Sequence, residues 1–163
     1  MNDEKLTRIV EATLKQLAET QAEEKGFGLK KAKKLIALVE EKAKQMGVNA
    51  VVAVSTAAGR PIAVECMDNS YIASFDVALK KAYTVVALKM STRKLSTLAA
   101  PGESLYGIQF TNDGQIVIFG GGDPLIHHGK IIGGLGVSGG TEEQDTALSA
   151  YGASLIDEIM KDF

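Results

Sequence analysis

Two adjacent histidines, His127 and His128, are the only histidines in the chain. An exposed imidazole can act as a general base, or it can ligate a metal that already has most of its ligands, such as haem iron held by a porphyrin. Adjacent strand residues point to opposite faces, so we expect at most one of the two rings to enter a given site. A surface-turn histidine without a ligand is the alternative.

No sequence motif for catalysis accompanies these histidines. The chain contains no HExxH, CxxC, Walker or nucleophile-elbow pattern. Its single cysteine, Cys66, excludes an internal disulfide and a multi-thiolate metal site, and it fits a reducing cytosol. The catalytic residues are therefore unknown, and the sequence does not decide whether the protein is an enzyme.

The histidines lie in a glycine-rich segment, residues 119–145. Twelve of the 17 glycines lie between Gly107 and Gly152, which indicates turns or close backbone approaches that a Cβ atom would block. Within this segment the sequence predicts two strands, 124–127 and 130–138, on either side of a tight turn.

A helix is predicted to follow these strands. Thr141 and Gln144 fit a capping box, so the helix should begin at Thr141. The preceding Gly134-x-Gly136-x-x-Gly139 matches the dinucleotide-binding pattern, but no second parallel strand follows to carry the acidic residue that binds the ribose. We therefore expect a tight turn packed against its own sheet, or a small anion or carboxylate held by backbone N–H groups.

Composition and charge exclude several classes of partner. The formal net charge is -2 and the pI is about 5.7, which gives no electrostatic basis for binding nucleic acid or an anionic membrane. No apolar run approaches the roughly 18 residues that span a bilayer, and the N-terminus lacks the pattern of a signal peptide. The expected location is the cytoplasm.

The remaining periodicity predicts an α+β fold, with helices packed on a partly antiparallel sheet. The 45% hydrophobic content of the 163 residues is enough for one domain with a full core. The predicted elements are, in order, helices at about 2–20 and 29–46, a hairpin of strands 49–56 and 62–67, a helix at 72–91, a second hairpin of strands 105–111 and 115–120, the glycine-rich strands, and a helix at 141–160.

Three stretches carry a family resemblance: KKAYTVVALKMST (80–92), the glycine-rich segment, and ALSAYG (147–152). The densest motif is GGDPL followed by G-x-IIGG-x-GVSGG-x-x-x-QD. From about Gly28 onward, the chain resembles the GlcG/HbpS-like haem-degrading family, which includes the C-terminal domain of PduO-type cobalamin adenosyltransferases. The resemblance implies a profilin-like α/β/α fold with a five-stranded antiparallel sheet, assembly into homo-oligomeric rings, and binding of haem or a cobalamin-type tetrapyrrole.

One of His127 and His128 is the candidate haem-iron ligand, because an exposed imidazole can ligate iron that a porphyrin already holds. The resemblance implies further site residues. The motifs add Pro124 and Asp145 as positions of interest, and the predicted cofactor-binding residues beside the histidines are Lys81, Tyr83, Gly121, Gly122, Ser138, Gly139 and Gly140.

The sequence departs from the family pattern at two places. Asp123 stands where an apolar residue is usual, and Ser55-Thr56-Ala57 stands where Val-Asp-Ala is common. An acidic side chain at the mouth of a haem site would repel the haem propionates.

An amphipathic helix precedes the domain. It resembles the encapsulation peptides that direct enzymes into bacterial microcompartments; packing on its own domain or on a neighbouring subunit is the alternative. We expect a docking helix at residues 1–20, a polar linker at 21–28 and the GlcG/HbpS-like domain at 29–163. The apolar face comprises Leu6, Ile9, Val10, Leu14 and Leu17.

Taken together, the sequence predicts a haem- or corrinoid-binding accessory protein that forms a homo-oligomer. It would be microcompartment cargo, bound to a shell or cargo protein through residues 1–20, and would support cobalamin-dependent diol or ethanolamine metabolism. One alternative is an enzyme acting on a small carboxylate or aldehyde near the turn at Ser138, with Lys81 needed for turnover. The other is a structural oligomeric scaffold.

Overall fold

Four strands form one antiparallel sheet, in the order β2-β1-β4-β3. The computed structural model describes residues 3–161, and it describes the side chains of 5–16 and 26–161. The hairpins β1–β2 and β3–β4 are joined by pairing of β1 with β4. The strands are β1 (Val51–Thr56), β2 (Pro61–Cys66), β3 (Gly122–His127) and β4 (Lys130–Ser138).

Helices cover both faces of the sheet, which makes the fold α+β with three layers. Helix α3 packs on one face, and α2, α5 and α6 pack on the other. In the described part of the chain, no helix is long and apolar enough to cross a membrane. The helices are α1 (Asp3–Lys25), α2 (Leu29–Gln45), α3 (Ile72–Ala87), α4 (Thr92–Leu98), α5 (Glu142–Ser154) and α6 (Ile156–Lys161).

Alternating residues of β1 divide the core between these two faces. Val51 and Ala53 pack with Ala78 of α3. Val52 and Val54 point the other way and join the larger core that α2, α5 and α6 complete. This two-residue period is the one expected of a strand buried on both sides.

Two glycines of β4 let α3 lie directly on the strand. A Cβ atom at Gly136 would overlap the carbonyl oxygen of Ala78, and one at Gly134 would overlap that of Ala82. Two of the three glycines in the dinucleotide-like pattern therefore reflect close packing of α3 on β4.

Several predicted elements are confirmed. The turn between β3 and β4 falls at His128 and Gly129, both with positive φ. Thr141 caps α5: its hydroxyl accepts from the Gln144 N–H, and the Gln144 side chain accepts from the Thr141 N–H. The β1–β2 hairpin is also present, with a register shift between Val54 and Ser55.

The five-stranded sheet and the second hairpin, 105–111 with 115–120, are wrong. Three successive residues, Asn112, Asp113 and Gly114, have left-handed φ, whereas a two-residue hairpin turn needs only two. The segment instead forms two 3-10 turns, Ile108–Phe110 and Asn112–Gly114. No strand partner is present there, and the Val117 N–H donates to the Thr84 hydroxyl at 3.0 Å.

Three helix boundaries also differ from the prediction. Helix α3 ends at Ala87, and a separate helix α4 begins after Ser91, whose hydroxyl accepts from the Lys94 N–H. The C-terminal helix is divided in two at Leu155. Helix α1 continues to Lys25, and so extends into residues 21–28, the segment predicted as a linker.

Candidate functional site

A cleft opens where β4 ends and α5 begins. Its volume is about 270 Å³. One wall comes from the start of α3, the opposite wall from the turn into α5, and Phe119 closes one end. The lining residues are Tyr71, Ala73, Ser74, Val77, Phe119, Ser138, Gly139, Gly140, Glu142 and Asp145.

A buried ion pair lies behind this cleft. The Nζ of Lys81 is 3.1 Å from Oδ2 of Asp145, and it also donates to the carbonyl oxygen of Val137 at 2.8 Å. The same ammonium lies 4.9 Å from the centre of the Phe119 ring. The Lys81 side chain is fully buried, with no surface exposed to solvent. The pair therefore links α3, β4 and α5 and positions one wall of the cleft.

Burial opposes the charge on both partners. Loss of solvation lowers the pKa of Lys81, and the attraction of Asp145 only partly offsets this effect. Loss of solvation raises the pKa of Asp145, although Lys81 and the backbone N–H groups of Gly140 and Gly139 favour its charged form. The pair is thus held by mutual neutralisation, and neither charge is tolerated there alone.

Glycines leave room for the ion pair. Gly121 has a φ of 112°, and a Cβ atom there would lie 2.5 Å from the Lys81 Nζ and 2.7 Å from the Asp145 Cβ. At Gly122 a Cβ atom would lie 3.0 Å from Thr92 and Val85. Both predicted site glycines therefore serve to bring β3 against the lysine.

Two backbone N–H groups at the turn into α5 already have acceptors within the protein. The Gly140 N–H donates to Oδ1 of Asp145 at 2.9 Å, and the Thr141 N–H donates to Gln144 at 2.9 Å. Glu142 accepts from the Gly120 N–H at 2.9 Å and from Arg93 at 3.2 Å. The arrangement does not favour the small anion or carboxylate considered from the sequence, because the protein's own side chains fill that role.

Two serine hydroxyls form the polar floor of the cleft. Ser138 lies 3.0 Å from Ser74, and both side chains are buried. Ser138 belongs to the predicted set, whereas Ser74, Tyr71, Phe119 and Glu142 are additional. Phe119 and Glu142 lie in the glycine-rich segment, but no local motif marks Tyr71 and Ser74, because only tertiary packing brings the start of α3 to the turn at α5.

The two histidines lie together at the opposite end of β4. Nδ1 of His127 is 2.7 Å from Oδ1 of Asp157 in α6. The centres of the His127 and His128 rings are 3.9 Å apart. The expectation that these rings point to opposite faces is wrong, because His128 has left-handed backbone and belongs to the turn, outside the strand.

The predicted site residues therefore separate into groups. Ser138, Gly139 and Gly140 line the cleft with Asp145. Lys81 lies behind it, paired with Asp145, and Gly121 and Gly122 pack against Lys81. The histidine turn is the length of β4 away, about 26 Å for eight residue steps of a strand.

Tyr83 and Pro124 belong to neither group. The Tyr83 ring packs against Gly59 in the β1–β2 turn, and its hydroxyl is 3.4 Å from the Asn112 amide. Pro124 pairs with Gly134 in the sheet.

The two departures from the family pattern have structural roles. Asp123 accepts from the Ser149 hydroxyl at 2.6 Å and does not line the cleft. Burial raises the pKa of Asp123. Ser55 donates to the Ala82 carbonyl oxygen at 3.0 Å, which adds a tie between β1 and α3.

Comparison with known proteins identifies relatives of this site and fold. The chain is 43% identical over 128 residues to an uncharacterized 15.0 kDa protein encoded in the dhaT-dhaS intergenic region of Citrobacter freundii; the match covers 78% of this chain and 90% of that protein. It is 43% identical over 105 residues to the corrinoid adenosyltransferase PduO of Salmonella typhimurium, covering 64% of this chain. The chain spans only 31% of that enzyme's length.

A solved structure shares the fold. A crystal structure described as the PduOC:heme complex superposes with a TM-score of 0.77 and 36% identity, covering 81% of this chain and 96% of that one. Residues 27–154 match the family model described as "Haem degrading protein HbpS-like". Because this match takes in both the cleft and the histidine turn, the chain belongs to the HbpS-like family.

Proposed function

We propose that this protein is a tetrapyrrole-binding accessory protein that takes haem, or a related corrinoid, at the histidine turn. The observation that carries the proposal is the contact between His127 and Asp157. A metal-ligating histidine usually donates its second ring N–H to a carboxylate, which fixes the ring and makes the other nitrogen a better ligand. Nδ1 of His127 has such a partner at 2.7 Å.

The other ring nitrogen of His127 is available for a metal. Within the described residues, Nε2 has no hydrogen-bond partner, and the side chain is 19% exposed. His128 lies beside it and is exposed. Lone-pair donation from one imidazole, or from two adjacent ones, suits iron or cobalt that brings its own macrocycle.

The donor set also argues against a metal held by the protein alone. Such an ion needs three or more side-chain ligands, and no cluster of three histidine, cysteine or carboxylate side chains occurs in the part of the chain that the structure describes. A bound tetrapyrrole would supply redox or ligand-binding chemistry at its metal, while His127 and Asp157 would hold and orient it.

The relatives support the same ligand class. One superposable relative is described as a heme complex, and another is described as a corrinoid adenosyltransferase. We further propose that the protein is a homo-oligomer located in the lumen of a bacterial microcompartment, where it supports cobalamin-dependent diol or ethanolamine metabolism. Exposed apolar side chains at the start of α3 fit a subunit contact: Tyr71 is 72% exposed and Ile72 is 98% exposed.

Helix α1 supports the packaging part of the proposal. Its apolar side chains are all exposed where the structure describes them, and they recur at helical spacing: Leu6, Ile9, Val10 and Leu14. An amphipathic helix with an uncovered apolar face is suited to lie in a groove of a partner. The proposed domain arrangement is a docking helix at 1–20, a connection at 21–28 and the family domain at 29–163.

Haem and cobalamin titrations, done separately, test the proposal. The absorbance spectrum of the purified protein should show a saturable Soret shift with haem. The His127→Ala variant should lose this shift. The control variant Tyr106→Ala, which removes an exposed aromatic side chain, should retain it. A shift with cobalamin alone would identify the ligand as a corrinoid. No saturable shift with either compound, or an unchanged shift in both His127→Ala and His128→Ala, would contradict the proposal.

A further inference from the structure

The cleft between α3 and the start of α5 lies apart from the histidine turn. We propose that it binds a small uncharged molecule that carries a hydroxyl or carbonyl oxygen. Three properties of the cleft support this assignment: its charges are already paired, one hydroxyl donor is left over, and its walls are apolar.

The charges around the cleft are balanced within the protein. Asp145 is paired with Lys81 at 3.1 Å, and Glu142 is paired with Arg93 at 3.2 Å. Of the described residues that line the cleft, none is basic. A ligand carboxylate would therefore meet two carboxylates and no free cation, while a ligand ammonium would have to compete with a cation that is already in place.

The serine floor supplies one free donor. Ser74 and Ser138 are 92% or more buried, and a single hydrogen bond of 3.0 Å joins their hydroxyl groups. Two hydroxyls carry two hydrogens, and one bond uses only one of them. Whichever serine donates to the other, one hydroxyl hydrogen remains without an acceptor among the described residues. A ligand oxygen in the cleft would accept it.

The walls select for a small and partly apolar molecule. Tyr71 and Phe119 present aromatic surface, and Ala73 and Val77 present aliphatic surface. The volume of about 270 Å³ is at the lower limit of ligand pockets, which typically measure about 300–1,000 Å³. The combination fits a short alcohol, aldehyde or ketone whose oxygen points to the serines and whose carbon chain lies between the rings.

Three probes with the same carbon chain separate the head groups: 1-propanol, propylammonium and propionate. Each is titrated into the uniformly ¹⁵N-labelled full chain, without haem, and the amide signals of Gly139 and Gly140 are followed. We expect saturable shifts with 1-propanol, and binding at least about tenfold weaker for both ions, because neither charged head group finds an unpaired partner.

Variants of the serine floor give a distinctive pattern. Ser74→Ala and Ser138→Ala each leave one hydroxyl with its own hydrogen, so each single variant should bind 1-propanol within about twofold of the wild type. The double variant has no donor and should bind about three- to tenfold more weakly. Ser154→Ala, which removes an exposed hydroxyl in α5 away from the cleft, is the control.

A space-filling variant tests the location independently of the serines. Ala73 is exposed on α3, so Ala73→Leu fills the cleft without entering the core, and it should abolish the shifts. Ala87→Leu adds the same volume at an exposed position of the same helix and should leave them unchanged. Equal binding of propionate or propylammonium, retained binding in Ala73→Leu, or no saturable shift with any probe would each overturn the proposal.

Discussion

The Lys81 ammonium lies 3.1 Å from the Asp145 carboxylate, where neither side chain has appreciable contact with solvent. Removing one partner of such a pair leaves an unpaired charge in the interior.

Lys81→Met should lower the free energy of unfolding by about 3–5 kcal/mol, because it leaves the Asp145 carboxylate buried and unpaired. Adding Asp145→Asn should recover part of that loss, since the amide is uncharged and its oxygen can still accept from Gly140. Urea unfolding measures both variants. Lys80→Met is the matched control: its ion pair with Asp76 is on the surface, so a loss of at most about 1 kcal/mol is expected. If the stability lost in the Lys81→Met/Asp145→Asn double variant equals the sum of the losses in the Lys81→Met and Asp145→Asn single variants, this account is contradicted.

Asp123→Asn should change how stability depends on pH. Burial raises the pKa of Asp123 in the folded state above the ordinary value of 3.8, so the folded protein holds this proton more tightly than the unfolded chain. Below pH 3.8 the protonated carboxyl makes its full contribution to stability. This contribution is lost as the pH rises through the pKa of Asp123 in the folded state.

The asparagine variant cannot lose that proton. Its stability relative to the wild type should therefore rise as the pH increases from about 3.5 to 7, as measured by urea unfolding at several pH values. Asp68→Asn, which removes an exposed carboxylate, is the control. A difference between wild type and Asp123→Asn that is independent of pH would count against the burial effect.

Gly136→Ala should destabilise the fold by about 1–3 kcal/mol or more, because the added methyl group would overlap the backbone of α3 at Ala78 and Ala82. Thermal unfolding is a sufficient measurement. Gly28→Ala is the control, since a Cβ atom there meets nothing within 4 Å. Equal stability of the two variants would mean that α3 can move away from β4 at little cost.

Asp157→Asn should weaken haem binding about 10- to 100-fold, as expected for a group that orients a metal ligand. The contact at 2.7 Å to His127 predicts this effect, and a Soret titration measures it. Glu158→Gln removes the neighbouring exposed carboxylate, which makes no contact with His127, and should leave the affinity unchanged. If the two variants behave alike, His127 is not held for a metal by Asp157.

Residues 1–20 should direct a fluorescent reporter into microcompartment shells produced in the same cells. Serine at Leu6, Ile9 and Leu14 should abolish co-purification of the reporter with the shells, because these side chains form the exposed apolar face of α1. Serine at Arg8 and Glu11, on the polar side, should not. Loss of co-purification in both variants would indicate that helix formation, and not the apolar face, is what matters.

Local chemistry made part of the structure predictable. The capping box at Thr141 and Gln144 needs only residues three apart, and the turn at His128-Gly129 is marked by glycine between two predicted strands. Asn112-Asp113-Gly114 shows the limit of such signals. The same residues that favour a hairpin turn here form a 3-10 turn, because the neighbouring chain bonds to Thr84 in place of a strand.

The cleft was less predictable than the fold. Phe119, Ser138 and Gly140 lie in the glycine-rich segment, but Tyr71 and Ser74 come from a segment about 65 residues earlier, and only the packing of α3 on β4 brings them to the cleft. The sequence likewise joined the histidines to the glycine motif, since they are close along the chain. The extended strand β4 separates them in space.

The contact of Asp145 with the Gly140 N–H has a consequence for competition between ligands. A carboxylate fixed to the same helix is already next to the donor and loses no translational freedom when it binds. A dissolved anion must give up that freedom before it gains the same contact. Asp145 is therefore a built-in competitor of dissolved carboxylates and phosphates for the Gly140 N–H.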